Sequence, residues 1–142
     1  MGGVSIDTSA QSTYAIYMRL EKILLVDDEE DIRTLAAMTL ESVGGWQVDA
    51  VESGAQALAS AVENPPDIIL LDATMPEMDG PATFEALRKE KATENIPVIF
   101  LTGKTQDKDV EGYLSLGALD VIKKPFDPME LPAQIRGICE KL

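Results

Sequence analysis

A chain of 142 residues, 45% of them hydrophobic, is long and apolar enough for one domain with a buried core. Its 12 Lys plus Arg against 25 Asp plus Glu give a formal charge of −13, which speaks against nucleic-acid backbones and anionic membrane surfaces as direct partners. With no His and one Cys, the chain has no His-based nucleophile, no His-ligated metal, no phosphohistidine of its own, no internal disulfide and no Cys cluster for zinc.

Residues 1–20 are rich in Ser, Thr, Gly and Ala and lack sustained periodicity. They read as a flexible N-terminal extension or an expression remnant, with a natural start at Met18 and a weakly signalled helix through Tyr14–Leu20. Met1-Gly2-Gly3 resembles a myristoylation start, but Ile6 stands where Ser or Thr is needed. Neither a secretory signal nor an apolar run of ~18 residues occurs, so a soluble, cytoplasmic protein is the expectation. Residues 21–142 read as one domain. Ile23–Val26 is an apolar run that stops at Asp27, and Ile32, Leu35, Ala36, Leu40 and Val43 then form a helical stripe closed by Gly44. Trp46–Val51 alternates as a second strand, and Ser53-Gly54-Ala55-Gln56 is a capping box opening a helix to about Glu63. Ile68–Leu71 stops at Asp72, and Asp79-Gly80-Pro81 opens a helix to about Lys89. Pro97–Leu101 stops at Thr102, and a helix over Gln106–Leu116 is stopped by Gly117. Asp120–Lys124 is the fifth strand, and Asp127-Pro128-Met129-Glu130 is a cap-like start for a helix whose stripe is Leu131, Ile135, Ile138 and Leu142.

Strict alternation of strand and helix predicts an α/β fold, with five parallel strands, right-handed crossovers and helices on both faces. Continuous apolar runs are what strands covered on both sides look like. One common order for such a doubly wound sheet is 2-1-3-4-5, with the ligand crevice beyond the carboxyl ends of the strands. That rule selects Asp27 and Asp28, Asp72, Thr102 and Lys124. Converging carboxylates repel each other, and a divalent cation relieves the repulsion. An oxygen-only ligand set suits Mg²⁺, which in turn binds phosphate oxygens. Thr102 can hydrogen-bond a phosphoryl oxygen and Lys124 can supply a point charge. Asp72 stands apart from the acidic pair on the central strand and is the natural phosphoryl acceptor.

These residues make the chain resemble a response-regulator receiver domain of the chemotaxis-Y type. The matching pieces are Val26-Asp27-Asp28, Leu71-Asp72 followed by Met75-Pro76-Glu77-Met78-Asp79-Gly80, Leu101-Thr102-Gly103, and Lys124-Pro125-Phe126. They stand in the family's order and spacing over about residues 21–142. The resemblance implies a flavodoxin-like fold and a phosphoacceptor switch of a two-component phosphorelay, not an enzyme beyond self-phosphotransfer and autodephosphorylation. It implies that Asp72 accepts a phosphoryl group from a phosphohistidine on a sensor histidine kinase or histidine phosphotransfer protein. Mg²⁺ would be held by Asp28 directly, by Asp27 with help from water, by Asp72 and by the backbone carbonyl of Thr74. Thr102 and Lys124 would turn onto the phosphoryl group, and the Lys124–Pro125 bond would be cis. The output would be a change in the face made by the fourth helix, fifth strand and fifth helix, read by a downstream protein target. Homodimers through that face are common in relatives, and the resemblance leaves dimerisation open.

The chain departs from the family at three places. Val121 stands three residues before Lys124, where Tyr or Phe often acts as a rotameric switch, so the output is expected to rest on loop and backbone shifts. Gly103 replaces a common Ala, and Thr74 occupies the position that tunes dephosphorylation. No output domain is visible after the fifth helix, which fits a stand-alone receiver or a piece of a longer protein. Two other functions compete. An aspartyl-nucleophile phosphatase wants a second acid two residues after Asp72, where Thr74 stands. A phosphorylation-independent interaction module would account for Val121 but not for the intact pocket. Gly103-Lys104-Thr105 imitates the end of a P-loop, but Val98 stands where that motif needs Gly. Glu29, Glu30 and Asp31 read as a solvated, acid-rich helix start, Trp46 and Met75 as packing residues, and Cys139 as inert.

Overall fold

The computed structural model describes residues 20–141. The expected N-terminal extension and tail helix lie outside the described residues apart from Leu20, and so does Leu142 of the last stripe. Five strands and five helices alternate along the described chain: β1 (Lys22–Val26), α1 (Glu30–Ser42), β2 (Gln47–Val51), α2 (Gly54–Glu63), β3 (Ile68–Asp72), α3 (Gly80–Lys89), β4 (Val98–Thr102), α4 (Asp107–Leu116), β5 (Asp120–Lys123) and α5 (Leu131–Glu140). The strands form one sheet in the order β2-β1-β3-β4-β5. Every neighbouring pair is parallel, so each connection must cross over, and the helices are those crossovers. The chain thus has the doubly wound order that its alternating pattern implies.

Burial follows position in the sheet. The central strands β3 and β4 are buried along their whole length, and β1 is buried from Ile23 onward. The edge strands β2 and β5 carry Gln47, Asp49, Asp120 and Lys123 and are partly exposed. Successive side chains of a strand point to opposite faces, and two core layers result. Ile23, Leu25, Leu70, Ile99 and Leu101 pack on one face with Ala36 and Leu40 of α1 and Leu131, Ile135 and Ile138 of α5. Leu24, Val26, Leu71, Val98 and Phe100 pack on the other with Ala57 and Ala61 of α2 and Phe84 and Leu87 of α3. Helix α4 contributes no fully buried residue to either layer.

The capping signals resolve in detail. Ser53 Oγ accepts the Gln56 N–H at 3.1 Å, while the Gln56 side chain reaches back to the N–H of Glu52 rather than that of Ser53. Asp79 Oδ1 accepts the Ala82 N–H at 2.9 Å at the start of α3. Gly117 ends α4 in the left-handed region, φ 111°, as a C-terminal glycine should. After α1 the left-handed residue is Gly45, φ 78°, one beyond the expected Gly44, whose N–H still bonds to the Thr39 carbonyl. The segment from Asp127 to Glu130 is a separate turn: Asp127 Oδ1 accepts the Met129 N–H and the Asp127 carbonyl accepts the Glu130 N–H, so α5 begins only at Leu131. Pro132 is tolerated there because the first helical turn needs no N–H donor.

Candidate functional site

The sheet register brings the strand ends to one edge. Val26 lies beside Leu71, Asp72 beside Leu101, and Thr102 beside Lys123. Asp72 is the last residue of β3 and Thr102 the last of β4. Asp27 and Asp28 follow β1 directly, and Lys124 follows β5, so all five selected positions meet at the carboxyl edge. The Lys124–Pro125 peptide bond is cis, as the resemblance implies. A cleft of about 580 Å³ opens there, lined by Asp28, Asp72, Thr74, Thr102 and Lys124 among others.

The two adjacent acids lie in different environments, because the buried run of β1 extends through Asp27 and ends there. Asp27 is fully buried and Asp28 is exposed. Asp27 is tied on three sides: its N–H donates to the Val51 carbonyl, its Oδ1 accepts the Glu29 N–H at 2.9 Å, and its Oδ2 accepts from Lys124 Nζ at 3.0 Å. Arg33 adds a fourth tie, from its guanidinium to the Asp27 carbonyl oxygen at 2.8 Å. Asp72 is 3% exposed, and its Oδ1 accepts the Thr74 N–H at 3.1 Å. Lys124 Nζ lies 3.5 Å from Asp72 Oδ2 and 3.4 Å from Glu29 Oε1. One ammonium therefore serves three carboxylates. Glu29, which the sequence presents as solvated surface, is 59% exposed yet belongs to this network.

The charges respond to this crowding. Burial raises the Asp72 carboxyl from 3.8 to about 7; the Thr74 N–H and Lys124 pull it down, and the charge of Asp27 and a hydrogen bond from the protonated carboxyl to Asp28 push it up. Burial alone would lower the Lys124 ammonium, but its hydrogen bond to Asp27 and the charges of Asp27, Asp72 and Glu29 outweigh that and raise it. The site thus holds surplus negative charge that a single lysine does not neutralise.

The donor set fits a hard cation. Asp27, Asp28 and Asp72 can each turn one oxygen into a common space, all within 4.8 Å of one another. Carboxylate oxygens without nitrogen or sulfur are the ligands that Mg²⁺ takes. Beside them, Asp72 offers a buried oxygen 3.5 Å from the Lys124 ammonium, and Thr102 lines the same cleft. That arrangement can receive a phosphoryl group and hold its oxygens. Two residues after Asp72, where an aspartyl-nucleophile phosphatase wants its second acid, stands Thr74.

Two glycines mark how tightly the site is built. A Cβ at Gly80 would come within 2.6 Å of Ala73 Cα and 2.7 Å of the Asp72 carbonyl oxygen. Gly80 is what lets the start of α3 press on the end of β3. At Gly103 a Cβ would meet only the Lys124 carbonyl at 3.8 Å, an ordinary contact, so alanine fits there equally well.

One residue at the site had no signal in the sequence. Tyr113, on α4, brings its hydroxyl to 3.4 Å from Thr102 Oγ1, and its ring lies 4.8 Å from that of Phe100. The two residues are joined only through the β4–α4 loop and a helical turn, and neither periodicity nor spacing announces the contact.

The chain matches the family model described as the response regulator receiver domain over residues 23–136. It is 39% identical over 121 residues to the alkaline phosphatase synthesis transcriptional regulatory protein PhoP of Bacillus subtilis, covering 85% of this chain and 49% of that one. It is 38% identical over 125 residues to the probable transcriptional regulator ycf27 of Porphyridium aerugineum, covering 88% of this chain and 50% of that one. The chain spans about half the length of the curated relatives it matches. Among solved structures, the chemotaxis response regulator CheY4 of Vibrio cholerae superposes with a TM-score of 0.77 at 30% identity, covering 84% of this chain and 98% of that one.

Proposed function

Because the chain belongs to the response-regulator receiver domain family, we propose that it is a phosphoacceptor switch in which Asp72 takes a phosphoryl group from a phosphohistidine of a partner protein. The observation that carries this reading is the convergence of Asp72 with Asp27, Asp28 and Lys124 at one strand edge. An Asp72 carboxylate oxygen attacks phosphorus, the P–N bond breaks, and the imidazole leaves with its electron pair. The donor imidazole must come from another chain, because this one contains no His. A histidine kinase or histidine phosphotransfer protein is therefore the upstream partner.

Receiver domains generally bind Mg²⁺, and the acidic cluster fits it. Asp28, Asp27, Asp72 and the Thr74 carbonyl would hold the ion, which offsets the negative charge of carboxylates and phosphoryl oxygens alike. Lys124 is set to move from Asp27 towards a phosphoryl oxygen, and Thr102 to donate its hydroxyl to another. These steps make the chain a regulator that modifies itself, not an enzyme that turns over a separate substrate. The domain so defined occupies residues 21–142, with 1–20 as an extension, and its output is read by a protein target at the face of α4, β5 and α5. Among the described residues no helix is long and apolar enough to cross a membrane.

The test is incubation with acetyl phosphate and Mg²⁺, followed by intact mass. The wild-type chain should gain one phosphoryl group with Mg²⁺ present and none when the metal is chelated beforehand, and Asp72→Asn should gain none. No adduct on the wild type, or an equal adduct on the variant, overturns the reading.

A further inference from the structure

We propose that Tyr113 couples the state of Thr102 to helix α4, with the phenol hydroxyl and the phosphoryl oxygens competing for the single proton of the Thr102 hydroxyl. This rests on the phosphoacceptor reading of Asp72 and adds the residue through which the site speaks to a helix.

Thr102 is 3% exposed and its hydroxyl already accepts the Lys104 N–H at 3.0 Å. It has one proton left to give, and the Tyr113 hydroxyl stands 3.4 Å away, where either hydroxyl can donate to the other; with Thr102 as the donor, Tyr113 is its acceptor. A phosphoryl group on Asp72 would present charged oxygens in the same cleft, and these are stronger acceptors than a phenol. When the proton turns to them, Tyr113 loses its acceptor role and must rotate or withdraw.

The consequence falls on α4 because little else holds that helix. It has no fully buried residue, and Leu114 and Leu116 are exposed. Its anchor is the Tyr113 ring, tilted 37° against Phe100. Phe100 and Thr102 are two residues apart on β4 and so share one face of the sheet. Phe100 is fully buried and stacks on Phe84 of α3 at 5.7 Å, and the Arg88 guanidinium lies 4.2 Å over the Phe84 ring. The far side of the aromatic row is therefore fixed, and the end that can move is Tyr113. Val121 packs on the same core layer as Tyr113, so no aromatic ring from β5 fills that place.

The experiment is amide hydrogen exchange over Asp107–Leu116, with and without beryllofluoride and Mg²⁺ as the phosphoryl analogue. In the wild type the analogue should speed exchange of this helix about fivefold, the population shift that one net hydrogen bond supports. Tyr113→Phe keeps the ring and removes the hydroxyl. Its α4 should exchange at the faster rate without the analogue and change no further with it, while it still gains a phosphoryl group from acetyl phosphate. A second arm keeps Tyr113 itself: in Tyr14→Phe/Tyr17→Phe it is the single remaining tyrosine. Its 3-fluorotyrosine ¹⁹F resonance should then shift when the analogue binds. A Tyr113→Phe helix that responds as the wild type does, or a ¹⁹F resonance that does not move while the analogue is bound, overturns the coupling and leaves the phosphoacceptor reading standing. A wild type that gains no phosphoryl adduct removes both.

Discussion

Asp72→Asn should make the domain more stable at about pH 8 when divalent cations are chelated. Burial raises the Asp72 carboxyl from 3.8 to about 7, whereas in the unfolded chain it ionises near its ordinary value. Between about pH 4 and about pH 7 the folded state therefore holds more protons than the unfolded one, and stability falls as pH rises. Above about pH 7 the whole cost of the buried charge is present. About three units at 1.36 kcal/mol each set a ceiling of about 4 kcal/mol. Relaxation and the nearby Lys124 reduce that, and about 2 kcal/mol is the expected gain for Asn, roughly 7 °C in Tm for a domain of this size. Asn keeps an oxygen to accept the Thr74 N–H, so that tie is not the source of the change. Thermal unfolding in EDTA at about pH 8 and about pH 5 is the assay; the pI of about 4.2 makes lower pH prone to precipitation. At about pH 5 only the first part of the shift is felt, and the gain should fall to less than half. An equal gain at both pH values, or a loss at pH 8, would refute the claim that buried charge is what Asp72 costs the fold.

Lys124→Met should destabilise the domain by about 3 kcal/mol near neutral pH, because fully buried Asp27 then loses the ammonium it is paired with; urea unfolding checks it, and Mg²⁺ should restore part of the loss. Gly80→Ala should cost more than about 2 kcal/mol, since its Cβ would run into the backbone of Ala73 and Asp72; a variant with wild-type Tm would contradict the close approach of α3 to β3. Glu77 is the one described non-glycine residue at positive φ, 67°. Glu77→Asn should stabilise by about 0.5–1 kcal/mol, because Asn tolerates the left-handed region better, and calorimetry would show it as a higher Tm.

Much of the molecule could be read from the chain alone, and the reason is local. Ile68–Leu71 and Val98–Leu101 are too short and too uniformly apolar to be surface helices, so they had to be strands covered on both faces. Each strand ends where a polar residue follows the run, which placed Asp27, Asp72 and Thr102 at one edge before any contact was known. Caps at Ser53, Asp79 and Gly117 are written in the residues that make them.

What the tertiary structure alone decided are relations between residues far apart in the chain. Lys124 reaches Asp27 across 97 positions, past the ends of β3 and β4, which lie between β1 and β5 in the sheet. Asp27 is buried and Asp28 exposed because the covered stretch that begins at Ile23 ends at Asp27, which adjacent identical letters cannot tell. Glu29 joined the network through the turn into α1, and the start of α5 slipped past Asp127 because that residue caps its own turn. The acidity of Asp72 and the contact of Tyr113 with Thr102 belong to the same class. Desolvation and side-chain proximity are properties of packed space, whereas hydrophobic period and turn chemistry are properties of neighbouring residues, and only the second kind is carried by the sequence in order.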